Sequence, residues 1–293
     1  MPQTGTPTNR SAVDLPVEVS QEILAKTQES SAIMQLARKV TLPGRGLQMN
    51  VILSDPEAAW VGETNKKPVS NPELGTKILR PYTLAVIVPF SNQFKRDLKG
   101  LYDELVRRLP NSLGKKFDET VFGKYAAPGS DFDTLAGITA QDLDSDAYDA
   151  LVAVDTDVSV HKGILNGFAI SPQMKGILLS SKDTTKRPLF INSVAEGAIP
   201  LILGVKTYAS RGCFVEGESS NPSIVGVGGD WTQAIYGAVE GVQISISDQA
   251  TLDLGNGESI NLWQQNMFAV RAEIEVGFRA DKTVFNALTA TIA

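Results

Sequence analysis

The feature of the sequence that most constrains the fold is a long alternation of apolar and charged side chains near the carboxyl end of the chain. Its apolar members are Phe268, Val270, Ala272, Ile274, Val276 and Phe278, and its charged members are Arg271, Glu273, Glu275 and Arg279. Successive side chains of a strand point to opposite faces of a sheet, so this period of two predicts one long strand with a single buried face. The charged face carries both signs, which guards an exposed strand against indiscriminate pairing.

A second pattern predicts a long amphipathic helix in the first half of the chain. After Ser91, which suits an N-cap, the apolar positions are Phe94, Leu98, Leu101, Leu105, Leu109, Leu113, Phe117 and Val121. Spacings of three and four residues place them on one helix face. Because proline lacks an amide hydrogen and its ring clashes with the preceding turn, we expect a kink or a split at Pro110. Shorter helices are expected over 15–39 and over 171–180.

Between two strand-like runs, at 47–53 and 82–90, lies a polar stretch that offers little to a core. Residues 62–77 read GETNKKPVSNPELGTK, with Pro68 and Pro72 stiffening the chain. A structureless polar excursion of this length is uncommon inside a compact domain, and a hairpin standing alone is marginal in water. We therefore predict a projecting hairpin that packs on another subunit, with a flexible surface loop as the alternative.

Composition excludes several classes of function. The chain has 27 Lys and Arg against 33 Asp and Glu, which gives a net charge of −6. This excess of acidic residues argues against a nucleic-acid-binding protein, because Lys and Arg supply most contacts to phosphates. No run approaches the roughly 18 consecutive apolar residues that a membrane span needs. The single cysteine cannot form an internal disulfide and suits a reducing cytoplasm. We expect a soluble protein without a membrane partner.

Catalytic and metal-binding patterns are absent from the sequence. His161 is the only histidine, so a histidine-based metal site cannot form, and we interpret it as a loop or surface residue. No G-x-S-x-G string occurs. Cys213, between a glycine and a phenylalanine, is interpreted as a small buried hydrophobe rather than a nucleophile. We expect no cofactor and no bound metal.

Two further strings imitate binding motifs without completing them. Asp142, Asp144 and Asp146 have the spacing that opens a calcium loop, but alanine stands at its sixth and twelfth positions. A helix start capped by Asp144 or Ser145 fits better. The glycines at 226, 228 and 229 lack the G-K-[ST] of a phosphate cradle, and we predict a tight turn between strands.

Several strings, taken together and in order, resemble the Hong Kong 97-type family of phage major capsid proteins over nearly the whole chain. They are PEAAWVGETNKKPVSN at 56–71, YTLAVIVPFSNQF at 82–94, SPQMKGILLSSKD at 171–183, LILGVKTY at 201–208, VGGDWTQAIYG at 227–237 and NMFAVRAEIEVGF at 266–278. The resemblance implies an α+β fold of the Hong Kong 97 type. It implies an N-arm at 1–45, an extended loop hairpin at 46–80, a peripheral domain with a long spine helix at 81–145, an axial domain at 146–247, and a return to the peripheral domain with the C-terminal segment at 248–293.

The same resemblance implies a major capsid protein, not an enzyme. Such a subunit self-assembles as hexamers and pentamers into the icosahedral head shell of a virion, within the host cytoplasm, around double-stranded DNA that it does not read. Scaffolding, portal and decoration proteins are the expected partners. One alternative is an encapsulin, a nanocompartment shell of the same fold. A second is a soluble α/β enzyme or ligand-binding module, against which the missing nucleotide motif, metal cluster and triad count.

Site residues also come from the resemblance. Inter-subunit contacts are expected from the extended loop at Trp60, Glu63, Lys66, Lys67, Asn71 and Glu73. In cross-linking members of the family an Asn opens the late NM-containing strand, a Glu lies seven residues on, and a neighbour's loop supplies a Lys. Asn266 and Glu273 match that spacing, and Lys66, Lys67 or Lys77 could supply the amine. The alternative is structural, with Asn266 bonding backbone and Glu273 pairing with Arg271 or Arg279.

Overall fold

The computed structural model describes residues 26–27, 30–52, 60–61, 66–67, 69, 74–92, 98–182, 189–190, 201–217, 221–239, 242–255 and 257–292. Its helices are α1 (Ala32–Leu36), α2 (Leu98–Val121), α3 (Ala147–Val160) and α4 (Pro172–Ser180). The first strands are β1 (Arg38–Thr41), β2 (Leu47–Ile52), β3 (Leu74–Leu79), β4 (Tyr82–Ser91), β5 (Thr139–Asp142), β6 (Gly167–Ile170), β7 (Leu201–Ile202) and β8 (Val205–Ala209). The others are β9 (Ser223–Gly229), β10 (Ala234–Ala238), β11 (Gln243–Ser247), β12 (Thr251–Gly255), β13 (Glu258–Asn261), β14 (Met267–Ala280) and β15 (Phe285–Ala290).

The long alternating segment is the central strand of a five-stranded sheet. β14 pairs antiparallel with β4 along Met267–Val276 on one edge, and with β11 and then β10 on the other edge. β1 extends the sheet by pairing parallel to β10. The predicted buried face is confirmed, because the apolar side chains of β14 pack with those of α2 in one core. This core holds the long helix against the sheet.

The long helix is not split at its proline. α2 runs without interruption from Leu98 to Val121, through Pro110. Proline removes one backbone hydrogen bond from a helix, at a cost of about 3 kcal/mol or more. On either side of it Leu109 and Leu113 are fully buried in the core, and we attribute the continuity of the helix to that burial.

The predicted helix over 15–39 is only partly described, and its end differs from the prediction. Residues 1–25, 28 and 29 lie outside the described residues, and residues 26, 27 and 30 are helical as predicted. α1 begins after Ser31, whose side chain accepts a hydrogen bond from Met34 N, and ends at Leu36. Residues 38–41 form a strand instead of a further helical turn, because pairing with the edge of β10 satisfies their backbone groups.

A second sheet has six strands in the order β5-β15-β9-β6-β8-β7, and it forms a separate core with α3 and α4. The sheets cross the ranges predicted for the two domains. β5 and β15 belong to this sheet although they lie outside 146–247, whereas β10 and β11 lie inside that range and pair with β14. β10 and β11 can both pair with β14 because one edge of this 14-residue strand is long enough for two short strands.

The glycines at 226, 228 and 229 lie inside β9 and not in the predicted turn. A Cβ at Gly226 would come within 2.5 Å of Met174 Sδ, and a Cβ at Gly228 within 2.5 Å of the Phe168 ring. Both approaches are shorter than any normal contact between carbon or sulfur atoms. Glycine is therefore required here so that a helix and an aromatic ring can lie directly on the strand.

The run of aspartates at 142–146 caps a helix, as predicted, but at a different residue. Asp146 is the N-cap of α3, with Oδ1 accepting from Tyr148 N at 2.9 Å, rather than Asp144 or Ser145. Asp142 Oδ1 accepts from Asp144 N at 3.0 Å, and Asp144 Oδ2 accepts from Thr291 N at 2.8 Å. Each carboxylate thus satisfies a backbone amide.

Candidate assembly site

The predicted hairpin is present as a two-stranded sheet of its own. β2 and β3 pair antiparallel in a continuous register that runs from Leu47 opposite Leu79 to Ile52 opposite Leu74. No third strand joins this pair among the described residues. The described part of the chain confirms the hairpin, and its packing on another subunit stays a prediction.

The root of the hairpin is fastened to β14 by one arginine. Arg279 Nε donates to Ile78 O at 2.8 Å, Nη1 donates to Asp133 Oδ1 at 2.9 Å, and Nη2 donates to Asp131 Oδ1 at 2.9 Å. Its side chain is only 13% exposed. A guanidinium can make these bonds together because its donors form a rigid planar fork. Arg279 therefore joins β14, the hairpin and the segment before β5, although the alternating pattern had placed it on an exposed face.

Close backbone packing supports the same joint. Leu79 is fully buried, and a Cβ on Gly277 would lie 2.3 Å from Arg80 O. That distance is well inside any allowed contact, so β14 needs glycine where the hairpin crosses it. The hairpin is consequently held at its root by packing as well as by the arginine.

Trp60 lies between β2 and β3, beyond their paired end. Its side chain is fully exposed, at 105% of the reference area, so Trp60 does not pack in the core of its own subunit, and the expected contact with another subunit stays a prediction. The lysines at 66 and 67 are also exposed, and Lys77 is half-buried in β3. Glu63, Asn71 and Glu73 lie outside the described residues. The hairpin thus presents a large apolar ring that its own subunit does not cover.

Asn266 and Glu273 occupy different places on β14. Asn266 directly precedes the strand with a φ of +54°, and its Oδ1 accepts from Asn92 Nδ2 at 2.7 Å. Glu273 pairs with Arg271 at 3.2 Å, as the structural alternative predicted, whereas Arg279 is committed to two aspartates. The β14–β4 register is continuous from Met267 to Val276, so no bulge brings the two residues together.

The distance along the strand decides how these two residues could cooperate. A strand rises about 3.4 Å per residue, so seven residues place Asn266 and Glu273 roughly 24 Å apart in one subunit. That separation is too large for the carboxylate to accept a proton from an amine attacking Asn266 in the same subunit. A cross-link would need Glu273 from another copy.

A buried carboxyl that sequence reasoning missed joins three parts of the subunit. Asp118 in α2 accepts hydrogen bonds from Ser31 Oγ and from Ser210 Oγ, both at 2.6 Å, and from Ala32 N at 3.0 Å. Burial raises the pKa of this carboxyl to about 6, while the hydrogen bonds from the two serines and the backbone lower it. The sequence feature that could have indicated this buried site is Gly114, four residues before Asp118 on the same helix face. A Cβ at Gly114 would come within 2.4 Å of Ser30 Oγ.

Cys213 is buried and His161 is exposed, as predicted. Cys213 is fully buried, and burial raises the pKa of its thiol well above the ordinary value, so it is a packed hydrophobe. His161 caps the end of α3 and is exposed, with Nδ1 2.9 Å from Asp157 O. Within the described ranges, no three His, Cys, Asp or Glu side chains lie close enough to hold a metal ion. None of the helices in those ranges is long and apolar enough to cross a membrane.

Comparison with known proteins agrees with this geometry. A family model described as "Phage capsid family" matches residues 12–284. A protein named "Probable major capsid protein gp17" of Mycobacterium phage L5 is 28% identical over 291 residues, covering 93% of this chain and 88% of the relative. The "Major capsid protein" of Staphylococcus phage 80alpha is 25% identical over 283 residues, covering 92% of this chain and 82% of the relative.

Solved structures show the same fold at lower identity. A chain from Mycobacterium phage Ogopogo superposes with a TM-score of 0.72 at 17% identity, covering 89% of this chain and 92% of that one. A chain from Microbacterium phage Oxtober96 gives a TM-score of 0.71 at 22% identity, with coverages of 89% and 91%. The predicted α+β fold of the Hong Kong 97 type is confirmed.

Proposed function

Because this chain belongs to the phage capsid family, we propose that it builds the icosahedral head shell of a tailed phage, arranged as hexamers and pentamers around double-stranded DNA. It is a structural protein and not an enzyme. The observation that carries the proposal is the hairpin, which is fastened at its root by Arg279 and carries the fully exposed Trp60 between its two strands. Such a feature contributes to stability only when another molecule covers it.

Assembly of this kind needs no covalent step. Each copy would contact several neighbours through the hairpin and through the surfaces of its two sheets, and the weak contacts would sum when the symmetry closes. Weak individual contacts also allow misplaced subunits to dissociate. One hydrophobic core joins α2 and the five-stranded sheet to residues of the six-stranded sheet such as Ala169 and Val227, and a second core lies between that sheet and α3 and α4. Together they give the subunit the rigidity that repeated contacts require.

The domain assignment in this proposal follows the sheets. Residues 46–80 form the extended loop, with β2 and β3 as its stem. The five-stranded sheet with α2 forms the peripheral domain, and the six-stranded sheet with α3 and α4 forms the axial domain. The N-arm at 1–45 reaches the peripheral sheet through β1.

Partners and location follow from the same function. A head shell implies a portal, and a chain of this type is expected to use a scaffolding protein and to accept a decoration protein. Assembly would take place in the host cytoplasm, where a single buried cysteine is kept reduced. The enclosed DNA would be held without sequence-specific contacts, in line with the net charge of −6. An encapsulin would share the fold, but the relatives named above are capsid proteins of phages.

Electron microscopy of the purified full-length protein tests the proposed function. Negative-stain images are expected to show closed shells of uniform diameter, because heterologous contacts between identical copies close when their rotation permits. Monomers alone, across a range of salt concentrations and protein concentrations, would overturn the proposal.

Cross-linking of the shell between Asn266 and a loop lysine stays a prediction with its own test. Mature particles that are boiled in detergent would show a ladder of multimers resistant to reductant, and Asn266→Asp or Glu273→Gln would abolish it. Arg271→Gln is the matched control, since it removes the partner of Glu273 but neither proposed reactant. A single band at the monomer mass would rule out the bond.

A further inference from the structure

An apolar pocket opens between α2, β4 and the segment that follows α2. Its volume is about 310 Å³, and its principal lining side chains are Tyr82, Leu84, Phe117, Tyr125, Pro128 and Phe132. The rings of Tyr82 and Phe117 each meet Phe132 edge to face, with centroids 6.1 and 6.3 Å apart. Aromatic walls of this kind favour another aromatic ring, because offset and edge contacts between rings are attractive beyond the area that they bury.

The rim of the pocket carries the ammonium group of Lys116. Lys116 Nζ lies 3.0 Å from the centroid of the Tyr125 ring. Lys124, by contrast, is paired with Glu119 at 3.0 Å. In the part of the chain that the structure describes, no carboxylate is paired with Lys116. An incoming aromatic residue with acidic residues on both sides of it in the sequence would supply a carboxylate to pair with Lys116.

Trp60 has the chemistry that such a pocket requires. Its ring is fully exposed, and Glu57 and Glu63 stand three residues before and after it in the sequence. A tryptophan buries 150 to 250 Å² when it is enclosed, so an aromatic pocket of this size suits one indole. Tryptophan is also among the residues that contribute most at interface centres.

The two features cannot be satisfied within one subunit as it is folded. Trp60 lies beyond the paired end of the hairpin, whereas the pocket begins at Tyr82, three residues after the last residue of the stem. We infer that the pocket formed by α2 and β4 receives Trp60 of a neighbouring copy, with Lys116 facing the acidic residues beside that tryptophan. Each copy would donate one ring and receive another, a head-to-tail contact that closes into a ring. This inference rests on the proposed shell function.

Cysteine pairing in assembled particles tests the contact. Trp60→Cys combined with Ala126→Cys, at an exposed lining position, should give a ladder of multimers that reductant abolishes. Trp60→Cys combined with Val160→Cys, at an exposed position on α3, should stay monomeric on the gel. Cys213 is fully buried and does not compete. Particles without a ladder from the first pair would overturn the docking site and leave the shell function intact, whereas absence of wild-type particles would overturn the function.

A second variant tests the same contact if the protein with Trp60→Cys does not assemble into particles. Ala126→Trp fills the pocket from within and leaves the hairpin unchanged. It should raise the concentration needed for assembly about tenfold or more, without lowering the melting temperature of the subunit. Thr156→Trp, on the exposed side of α3, is the matched control. Assembly of Ala126→Trp at the wild-type concentration would contradict the inference.

Discussion

Replacing Asp118 with alanine is expected to lower the free energy of unfolding of the subunit by about 3 kcal/mol at pH 7. The substitution leaves the hydroxyls of Ser31 and Ser210 and the amide of Ala32 without an acceptor in a fully buried site. Each unsatisfied buried donor costs about 1–3 kcal/mol, partly offset because a buried charge is removed. Chemical denaturation of the unassembled subunit measures the loss.

The effect of Asp118 should also depend on pH in a specific direction. Its pKa rises from 3.8 in the unfolded chain to about 6 in the folded one, so the folded state binds the proton more tightly. The stability that this tighter proton binding adds to that of the hydrogen bonds is therefore complete below pH 4 and is lost as the pH rises through 6. The difference is about 3 kcal/mol, at 1.36 kcal/mol per pKa unit. The gap between wild type and the Asp118→Ala variant should widen as the pH falls from 7 to 4.

A surface carboxylate provides the control for this experiment. Asp155 is exposed on α3, and Asp155→Ala should leave the free energy of unfolding at pH 7 within about 0.5 kcal/mol of the wild-type value. A gap between wild type and Asp118→Ala that narrows on acidification would mean that the folded carboxyl does not have a raised pKa.

Shortening the hairpin should abolish shells without unfolding the subunit. Replacing residues 53–73 with Asn-Gly joins Ile52 to Leu74, which are already paired, through the two-residue turn that antiparallel strands favour. The stem and its fastening at Arg279 remain, whereas Trp60 and the polar excursion are lost. We expect the melting temperature to change by no more than a few degrees and electron microscopy to show no closed particles.

The fluorescence of Trp231 reports whether the shortened subunit is folded. This residue is buried in the core and its Nε1 donates to Gly167 O at 3.0 Å. Unfolding would expose Trp231 and shift the emission of the shortened protein to longer wavelength, whereas its other tryptophan, Trp263, is already exposed in the folded subunit. A red shift that appears only on adding denaturant, together with loss of particles, therefore supports the role of the hairpin in assembly. Normal shells from the shortened protein would contradict it.

The sequence by itself determined the elements whose pattern is local. The alternation at 268–278 predicts β14, the three-and-four spacing predicts α2, and Ser171 with Pro172 predicts the start of α4. In the strand and the long helix, the spacing of apolar residues matches the backbone repeat over many residues. The type of secondary structure can therefore be predicted without knowing what packs against the segment. The hairpin is predicted on a different ground, since a polar stretch as long as residues 62–77 is uncommon inside a compact domain.

Only the tertiary structure decided how these elements meet. Pro110 is tolerated because Leu109 and Leu113 on either side of it are buried. The glycines of β9 lie in a strand because Met174 and Phe168 need the space above them. Asp118 likewise accepts hydrogen bonds from two serines that lie in remote parts of the chain. Arg279, which the sequence places on an exposed face, binds the hairpin and two aspartates at once. Periodicity determines which face of a segment is apolar, but the partner of that face lies far away in the sequence. A contact between segments more than 80 residues apart leaves no local pattern, because its energy is gained only after the chain has closed on itself.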